Sequence, residues 1–351
     1  GSGAATFANA GNAFTGGVTV NAGTLTFASA QNIAGGLVVN GGTLVLGSAN
    51  TLSGNVTLNG SGVLALGASG ALGAGNALAF GSGATGRFQL AANDVTVSGL
   101  TTHATVGTPT VVNGAAGTAT LTVNVASGSQ TFAGVLADGS AGILAFAKTG
   151  AGTFVLAGTN TLTGGTTVAT GTLQVGQGGT LGNTSIASGA LLAFNRADSF
   201  TYAANTTGLG AMSVLGGGNM TITGNLGHDG GTNVATGQIL SLGTGSSITG
   251  AGTVTVDGSL KVNTATSASI GSVIGGLGSL SVDAGTLVLT GANVYQGTTT
   301  VASGATLQVG DAGAVGALPP SAVVTNNGTL VISRSGTLTF ANTVNGSGDF
   351  V

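Results

Sequence analysis

The chain has 351 residues, of which 70 are glycine and only 4% are charged, and its net charge is −3. Typical soluble domains carry about a quarter charged residues, and the basic side chains here stand singly at Arg87, Lys148, Arg196, Lys261 and Arg334. Nucleic acid is excluded as a partner, because clustered Lys and Arg are needed to displace its counterions. Without cysteine, neither disulfides nor thiolate metal sites contribute.

Hydrophobic residues make up 42% of the chain, which opposes the composition of a disordered protein. No apolar run approaches the roughly 18 residues that cross a bilayer as a helix. The composition therefore predicts a folded protein with a buried core, and no membrane insertion by this segment.

A short phrase recurs near the start of the chain. "VNAGTLTF" at residues 20–27 returns as "VNGGTLVL" at 39–46 and as "LNGSGVLAL" at 58–66. Apolar and polar residues alternate in each copy, as in Val18-Thr19-Val20, and a period of two indicates β-strands. A repeat of about twenty residues is in the range of solenoid proteins.

Equivalent apolar residues form three columns when the copies are aligned. The columns are Leu25, Leu44 and Leu64; Phe27, Leu46 and Leu66; and Ile33, Leu52 and Leu72. Strands this short need neighbouring coils for stability, and parallel crossovers are almost always right-handed. The sequence predicts an all-β fold, a right-handed single-stranded parallel β-helix with three faces and about 19–22 residues per coil.

Asparagine and glycine occupy the predicted corners between strands. Asn21, Asn40 and Asn59 stand at one equivalent corner, where asparagine tolerates left-handed backbone angles. We expect these three side chains to form a hydrogen-bonded ladder. Residues 1–351 are predicted to be one continuous β-helix segment of about seventeen coils, with negligible helix, and a fragment of a longer protein.

A longer phrase is superimposed on the coil period. "KTGAGTFVLAGTNTLTGGTTVATGTLQVG" at residues 148–176 returns as "DAGTLVLTGANVYQGTTTVASGATLQVG" at 283–310, and more faintly at 5–25. The copies, placed at about 5–25, 148–176 and 281–310, closely resemble the passenger-associated transport repeat of Gram-negative autotransporters. The resemblance implies a β-helical passenger exported by type V secretion, with a C-terminal β-barrel translocator and a signal peptide outside this chain. No catalytic residue comes with the repeat.

Several local patterns suggest chemistry but lack its other parts. "GSGATG" at residues 81–86 fits a dinucleotide loop in letters, but that site needs a following helix, so we interpret it as a corner. The "KTG" at Lys148 has no accompanying Ser-x-x-Lys nucleophile, and this lysine is predicted to face solvent at the start of the repeat. His228 and Asp229 are assigned to a polar loop rather than to a triad.

Metal binding and glycoside cleavage are also weakly supported. His103 has no ligand-spaced partner, and cleavage needs two carboxyl groups within about 10 Å, whereas the pairs Asp94 with Asp138 and Asp198 with Asp229 lie more than one coil apart. Asp257 and Asp311 do not recur at a calcium-binding spacing. No catalytic, cofactor-binding or metal site is assigned, no cofactor is expected, and the chain is predicted not to be an enzyme.

Aromatic residues and two irregular stretches complete the pattern. The two tyrosines, Tyr202 and Tyr295, and the phenylalanines are predicted to fill inward columns, among them Phe80, Phe132, Phe154 and Phe340. Residues 195–208 and 316–324 break the period and are the candidate contact loops, since extra residues in a solenoid bulge outward.

The sequence therefore predicts an extracellular structural stalk of an autotransporter passenger at the bacterial surface, serving display and adhesion to a host or cell-surface ligand. The alternative is a self-associating surface or a filament-forming module that mediates cell aggregation or biofilm, because an almost uncharged surface has little self-repulsion. A β-helical polysaccharide-acting enzyme is the minor alternative.

Overall fold

The computed structural model describes residues 2–73, 75–320 and 322–351. These residues form forty short β-strands and no helix. The chain divides into two compact units, Gly1–Gly182 and Asn183–Val351. The described strand pairs of each unit are parallel, so each unit is a parallel β-helix, as predicted. The prediction that both form one continuous segment stays a prediction.

The strands of the first unit are β1 (Ala4–Phe7), β2 (Ala13–Phe14), β3 (Val18–Val20), β4 (Thr24–Phe27), β5 (Asn32–Ile33), β6 (Leu37–Val39), β7 (Thr43–Leu46), β8 (Thr51–Leu52), β9 (Val56–Leu58), β10 (Val63–Leu66), β11 (Ala77–Phe80), β12 (Arg87–Gln89), β13 (Val95–Val97), β14 (Gly99–Thr102), β15 (Thr110–Val112), β16 (Gly117–Asn124), β17 (Ser129–Phe132), β18 (Val135–Ala137), β19 (Gly142–Thr149), β20 (Thr153–Leu156), β21 (Thr166–Val168) and β22 (Thr172–Val175).

The strands of the second unit are β23 (Thr184–Ile186), β24 (Leu191–Asn195), β25 (Phe200–Tyr202), β26 (Thr206–Thr207), β27 (Ala211–Leu215), β28 (Asn219–Ile222), β29 (Thr232–Val234), β30 (Ile239–Leu242), β31 (Val254–Val256), β32 (Ser259–Ile270), β33 (Ile274–Gly275), β34 (Ser279–Leu289), β35 (Thr299–Val301), β36 (Thr306–Val309), β37 (Val324–Asn326), β38 (Thr329–Ile332), β39 (Val344–Asn345) and β40 (Asp349–Phe350).

Three ladders build the first coils of the first unit. Their strand orders are β1-β4-β7-β10-β12-β15-β18, β3-β6-β9-β11-β14 and β2-β5-β8, which are the three predicted faces. Thr24 pairs with Thr43, nineteen residues further along. Coils in the middle of this unit are longer than the predicted 19–22 residues: Val95 pairs with Leu121, twenty-six residues on, whereas Phe146 pairs with Thr166, twenty residues on. The added length lies partly in the eight-residue strands β16 and β19.

The predicted columns of apolar side chains form the core. Leu44 stacks between Leu25 and Leu64, and Leu46 stacks between Phe27 and Leu66. The third column contains Ile33 and Leu52, with Phe14 one coil earlier. Its predicted third member, Leu72, is buried but lies in a turn.

The predicted asparagine ladder is present at the corner after β3, β6 and β9. Asn40 Nδ2 donates to Asn21 Oδ1 at 2.7 Å, and Asn59 Nδ2 donates to Asn40 Oδ1 at 2.8 Å. Gly42 follows at this corner with φ of +72°, and a Cβ there would clash with the backbone of Gly23 in the preceding coil. Glycine is required because it alone adopts this conformation without such a clash.

A second set of asparagines is buried and bridges three successive coils. Asn160 Oδ1 accepts from the Leu136 N–H at 2.9 Å, and its Nδ2 donates to the Thr180 carbonyl at 3.0 Å. In the same way, Asn50 Oδ1 accepts from the Gln31 N–H and Asn50 Nδ2 donates to the Ala71 carbonyl. A buried backbone group needs such a partner because leaving it unpaired is costly. We call these residues bridging asparagines.

Lys148 differs from its sequence-based prediction. Its predicted solvent-facing position is wrong: the residue is 0% exposed and stands in an inward column between Val123 and Val168. The ammonium group donates to the carbonyls of Thr149 and Gly150 at 2.8 Å and of Thr170 at 3.2 Å. Burial lowers the pKa of Lys148 from its usual 10.5, because removing the charge from water disfavours the protonated form.

The second unit repeats the three-strand coil, and its early coils are about twenty residues long. Leu191 pairs with Ala211, Phe200 with Met220, and Thr206 with Leu226, each twenty residues on. The ladders within this unit are β24-β27-β29-β31-β33 and β25-β28-β30-β32-β34-β35-β37-β39. β34 is long enough to pair with both β35 and β36, so one strand serves two faces.

We predict that Asn50→Ala destabilises the protein by about 2 kcal/mol, because it leaves the Gln31 N–H and the Ala71 carbonyl without partners. Asn40→Ala removes exposed hydrogen bonds and should cost about 0.5–1 kcal/mol. Asn32→Ala, on an exposed strand position, is the control. Urea unfolding measures all three, and equal losses at Asn50 and Asn32 would contradict the bridging role.

We also predict a pH-dependent effect of Lys148→Met. Between the lowered native pKa of Lys148 and 10.5, the unfolded chain binds more protons, so wild-type stability rises with pH there relative to the variant. The urea unfolding midpoints of the wild type and of the variant at pH 7 and pH 10 measure this difference in stability. Contributions from ionisable groups that both proteins share cancel in the comparison. Asn32→Ala, which replaces an exposed uncharged residue, should keep the wild-type pH dependence. A pH-independent difference for Lys148→Met would contradict the buried charge.

Candidate functional site

The glycine-rich motif "GSGATG" lies at a corner of the first unit. Residues 81–86 connect β11 to β12, and Gly83 adopts φ of +61°. The segment leads into a strand rather than a helix, so the helix N-terminus that would hold a pyrophosphate is missing. The interpretation as a corner is confirmed.

His228 lies outside the strands, between β28 and β29, as expected for a loop residue, but its side chain is buried. Its Nδ1 lies 2.7 Å from Thr206 Oγ1, and its Nε2 lies 3.1 Å from both the Gly231 carbonyl oxygen and Thr232 Oγ1. Burial lowers the pKa of His228, although the Gly231 carbonyl and the Asp229 charge oppose the shift. The imidazole is therefore neutral at pH 7.

The contact between His228 and Thr206 resembles a base beside a hydroxyl nucleophile, but it lies in the core. Thr206 and His228 are 1% and 2% exposed, so a substrate has no path to either atom. Asp229 does not orient the imidazole as the acid of a triad would; its Oδ1 accepts from the Ala251 N–H at 2.8 Å. The group stabilises the interior.

The remaining aspartates mostly accept hydrogen bonds from backbone N–H groups. Asp94 accepts from Thr120 at 2.7 Å and Asp257 from Leu277 at 3.0 Å, both in the next coil. Burial alone would raise the pKa of Asp138, but hydrogen bonds from the Leu144 N–H and from Thr163 hold it below its usual value. These carboxylates connect coils, a role that the sequence analysis missed.

Histidine and metal-ligating groups are dispersed. His103 is exposed, and its Nδ1 accepts from the Thr105 N–H at 3.0 Å. Within residues 2–73, 75–320 and 322–351, no three His or Asp side chains converge to hold a metal ion. The structure thus brings together none of the residues considered for catalysis into an accessible site.

The aromatic predictions hold for most of these side chains, but Phe7 and Phe350 are exposed, and Phe340 also differs from its prediction. Phe80, Phe132 and Phe154 are buried, and so are both tyrosines; burial raises the pKa of Tyr202 and of Tyr295 to about 12. Phe340 was predicted to fill an inward column in a strand, but it lies outside the strands and is half-exposed. It packs edge-on against Phe350, with ring centroids 5.7 Å apart.

The first candidate contact loop is not a loop. Residues 195–208 contain β25 and β26 within a coil of ordinary length, so the predicted interruption is wrong. Arg196 is 7% exposed, forms an ion pair with Asp198 at 2.5 Å, and lies 4.4 Å from the Phe200 ring centroid. The polar residues of this stretch are part of the regular coil and do not form a projecting loop.

The second candidate loop does lengthen its coil. Thr299 pairs with Val324, twenty-five residues on, although Leu318 and Ala322 turn inward and are buried. Ser321 of this stretch lies outside the described residues. Residues 103–106, exposed between β14 and β15, form another projecting segment that the sequence analysis did not identify.

One outward column of the second unit is polar over its whole described length. We define the polar face as Thr201, Thr221, Ser241, Lys261, Ser281, Thr300, Thr325 and Asn345, which pair in succession through the parallel registers. Equivalent side chains recur at the strand spacing of about 4.8 Å. The polar face is the candidate contact surface, because its hydroxyl and amide groups can donate and accept hydrogen bonds.

Comparison with known proteins agrees with this architecture. The family model described as Passenger-associated-transport-repeat matches residues 1–27, 22–46, 146–175 and 282–309. These matches overlap all three predicted copies and add one at 22–46. None of the described residues belongs to a helix that could span a membrane.

A curated relative is also an autotransporter by name. The chain is 39% identical over 88 residues to the protein named Adhesin BmaC autotransporter, from Brucella suis biovar 1 (strain 1330). The aligned segment is 24% of this chain and only 2% of the relative's length. The transport-repeat matches, the relative and the parallel coils together support an autotransporter passenger with a β-solenoid fold.

Proposed function

We propose that the chain is an extracellular, surface-displayed passenger segment that acts as a structural stalk and makes adhesive contacts through its outer faces. The observation that carries the proposal is the polar face, a continuous column of hydrogen-bonding groups on a rigid parallel ladder. The transport repeats and the adhesin name of the relative support this role. A C-terminal β-barrel translocator is expected outside this chain.

The proposed role is not enzymatic. The buried His228 is bonded to Thr206 and Thr232, and the carboxylates of Asp94, Asp138 and Asp257 accept from backbone groups. A general acid or base must reach the proton that it transfers, and these groups are already engaged within the fold. The surface offers many weak contacts instead of one reactive centre.

We expect beads coated with the purified chain to adhere to cultured epithelial cells about tenfold more than beads coated with albumin, because many copies act together. The heat-unfolded chain on the same beads is the control, since it keeps the composition but loses the ladder. Microscopy counts the bound beads. Equal counts for folded and unfolded chains would contradict the proposal.

Self-association is a second candidate, supported by exposed apolar side chains in the second unit. Leu277 and Val294 are 66% and 62% exposed. The Val294 N–H donates to the Ile274 carbonyl at 2.8 Å, so Val294 stands one coil above the short strand that precedes Leu277. Large apolar side chains on adjacent coils favour contact with another surface.

For this candidate we expect light scattering to show oligomers that persist at high salt, because the contact is apolar and unaffected by screening. Replacing both Leu277 and Val294 by serine should dissociate them. The matched control replaces Val106, exposed in the first unit, by serine. A monomer at every accessible concentration would dismiss self-association and leave the adhesive proposal in place.

A further inference from the structure

The outer face of the second unit contains a groove around Lys261. It has a volume of ≈ 360 Å³ and is lined by residues of successive coils, among them Ser199, Asn219, Ile239, Lys261, Asn263 and Asp283. We call it the Lys261 groove. It includes part of the polar face, Thr221 and Ser241, so the column of hydroxyl groups continues along its floor.

An irregularity in the ladder borders this groove. Asn263 of β32 pairs with Ala284, whereas Ser267 pairs with Thr286, so β32 contains two more residues than β34 between the same two pairings. Extra residues in one strand bend it and redirect its side chains. The irregularity begins at Asp283, which is left without a pairing partner between the pairings of Val262 with Val282 and of Asn263 with Ala284, and it distinguishes the groove from a regular sheet face.

The groove contains one cation and one carboxylate that remain available. The residue Lys261 is half-buried, and its ammonium group makes neither a hydrogen bond nor an ion pair among the residues that the structure describes. Asp283 is exposed and accepts from the Ser281 hydroxyl, which leaves carboxylate acceptor sites open. The pair gives the groove no net charge while providing a strong donor and a strong acceptor.

These groups select a class of ligand. Hydroxyl groups of a sugar both donate and accept hydrogen bonds, so they fit the ammonium, carboxylate and amide groups together. The half-buried Ile239 offers an apolar contact for the C–H face of a sugar ring. Coils repeat every ~4.8 Å, close to the length of one sugar unit in an extended chain, so equivalent contacts recur along a linear oligosaccharide.

Other ligands fit the groove less well. A polyanion gains no net attraction from the groove, because the Asp283 carboxylate offsets the Lys261 ammonium group. A peptide strand would need an unpaired sheet edge, but β28 and β30 are paired on both sides. A neighbouring groove of ≈ 380 Å³ near Asp229 has no cation among its lining residues, and its Asp229 carboxylate already accepts from Ala251.

We propose that the Lys261 groove binds a linear neutral oligosaccharide, with Lys261 donating to sugar oxygens and Asp283 accepting from sugar hydroxyl groups. The proposal rests on the adhesive function above and names the ligand class of that surface. The described lining contains no aromatic ring, so binding to one groove is weak, with a Kd of about 1 mM. Adhesion then depends on many copies.

The test is calorimetric titration of the whole chain with maltohexaose, cellohexaose and mannohexaose, with a galacturonic acid hexamer as the anionic comparison. We expect at least one neutral hexamer to bind more tightly than the anionic one. Lys261→Met and Asp283→Asn should each weaken it by about tenfold. Arg87→Met is the matched control, because it removes a cation from an exposed strand position of the first unit, and it should bind as the wild type does.

Unfolding midpoints equal to that of the wild type show that the variants fold. Failure of all three neutral hexamers, tighter binding of the anionic hexamer, or unchanged binding by both groove variants would overturn the proposal. The bead assay separates this result from the adhesive function. If the beads adhere but no hexamer binds, the adhesive function is supported and this ligand is rejected. If a hexamer binds but the beads do not adhere, the groove is an oligosaccharide site and the adhesive function is rejected.

Discussion

Parallel hydrogen bonding between successive coils is the constraint on which each unit depends. A strand of two to five residues cannot satisfy its backbone groups alone, so it pairs with the equivalent strands of the coils before and after it. This pairing places equivalent side chains directly above one another. A polar side chain that turns inward must therefore find its partners within its own or adjacent coils, as Asn160 and His228 do.

The same stacking explains why the chain has so few charges. Like charges directly opposite each other on paired strands are destabilising, and a repeated charged position would place them in one column. Lys261 instead stands between Ser241 and Ser281, and Asp257 is bonded to the backbone of Leu277. Asparagine avoids the problem because its amide can donate to its neighbour and accept from it, as at Asn40.

Periodicity predicted the parts of the fold that depend only on equivalent residues. Leu25, Leu44 and Leu64 could be aligned from letters because their coils differ by one residue at most. Lys148 could not be placed in this way. When the two long repeat copies are aligned on Gly152 and Gly285, Lys148 falls opposite Ser281. The strand registers instead make Lys148 equivalent to Val282. One additional corner residue changes the face on which a side chain lies.

The Lys261 groove was beyond sequence reasoning for a related reason. Lys261, Asp283 and Asn219 belong to different coils, and their proximity depends on each coil length between them and on the bulge in β32. Asn219 and Lys261 lie outside the transport repeats, and Asp283 stands at the start of one copy without being marked there as a contact residue. A solenoid surface thus hides its binding groups from local pattern searches, because neighbours along the axis are about twenty residues apart in the chain. The strand register shows that Lys261 and Asp283, which are far apart in the sequence, line one groove.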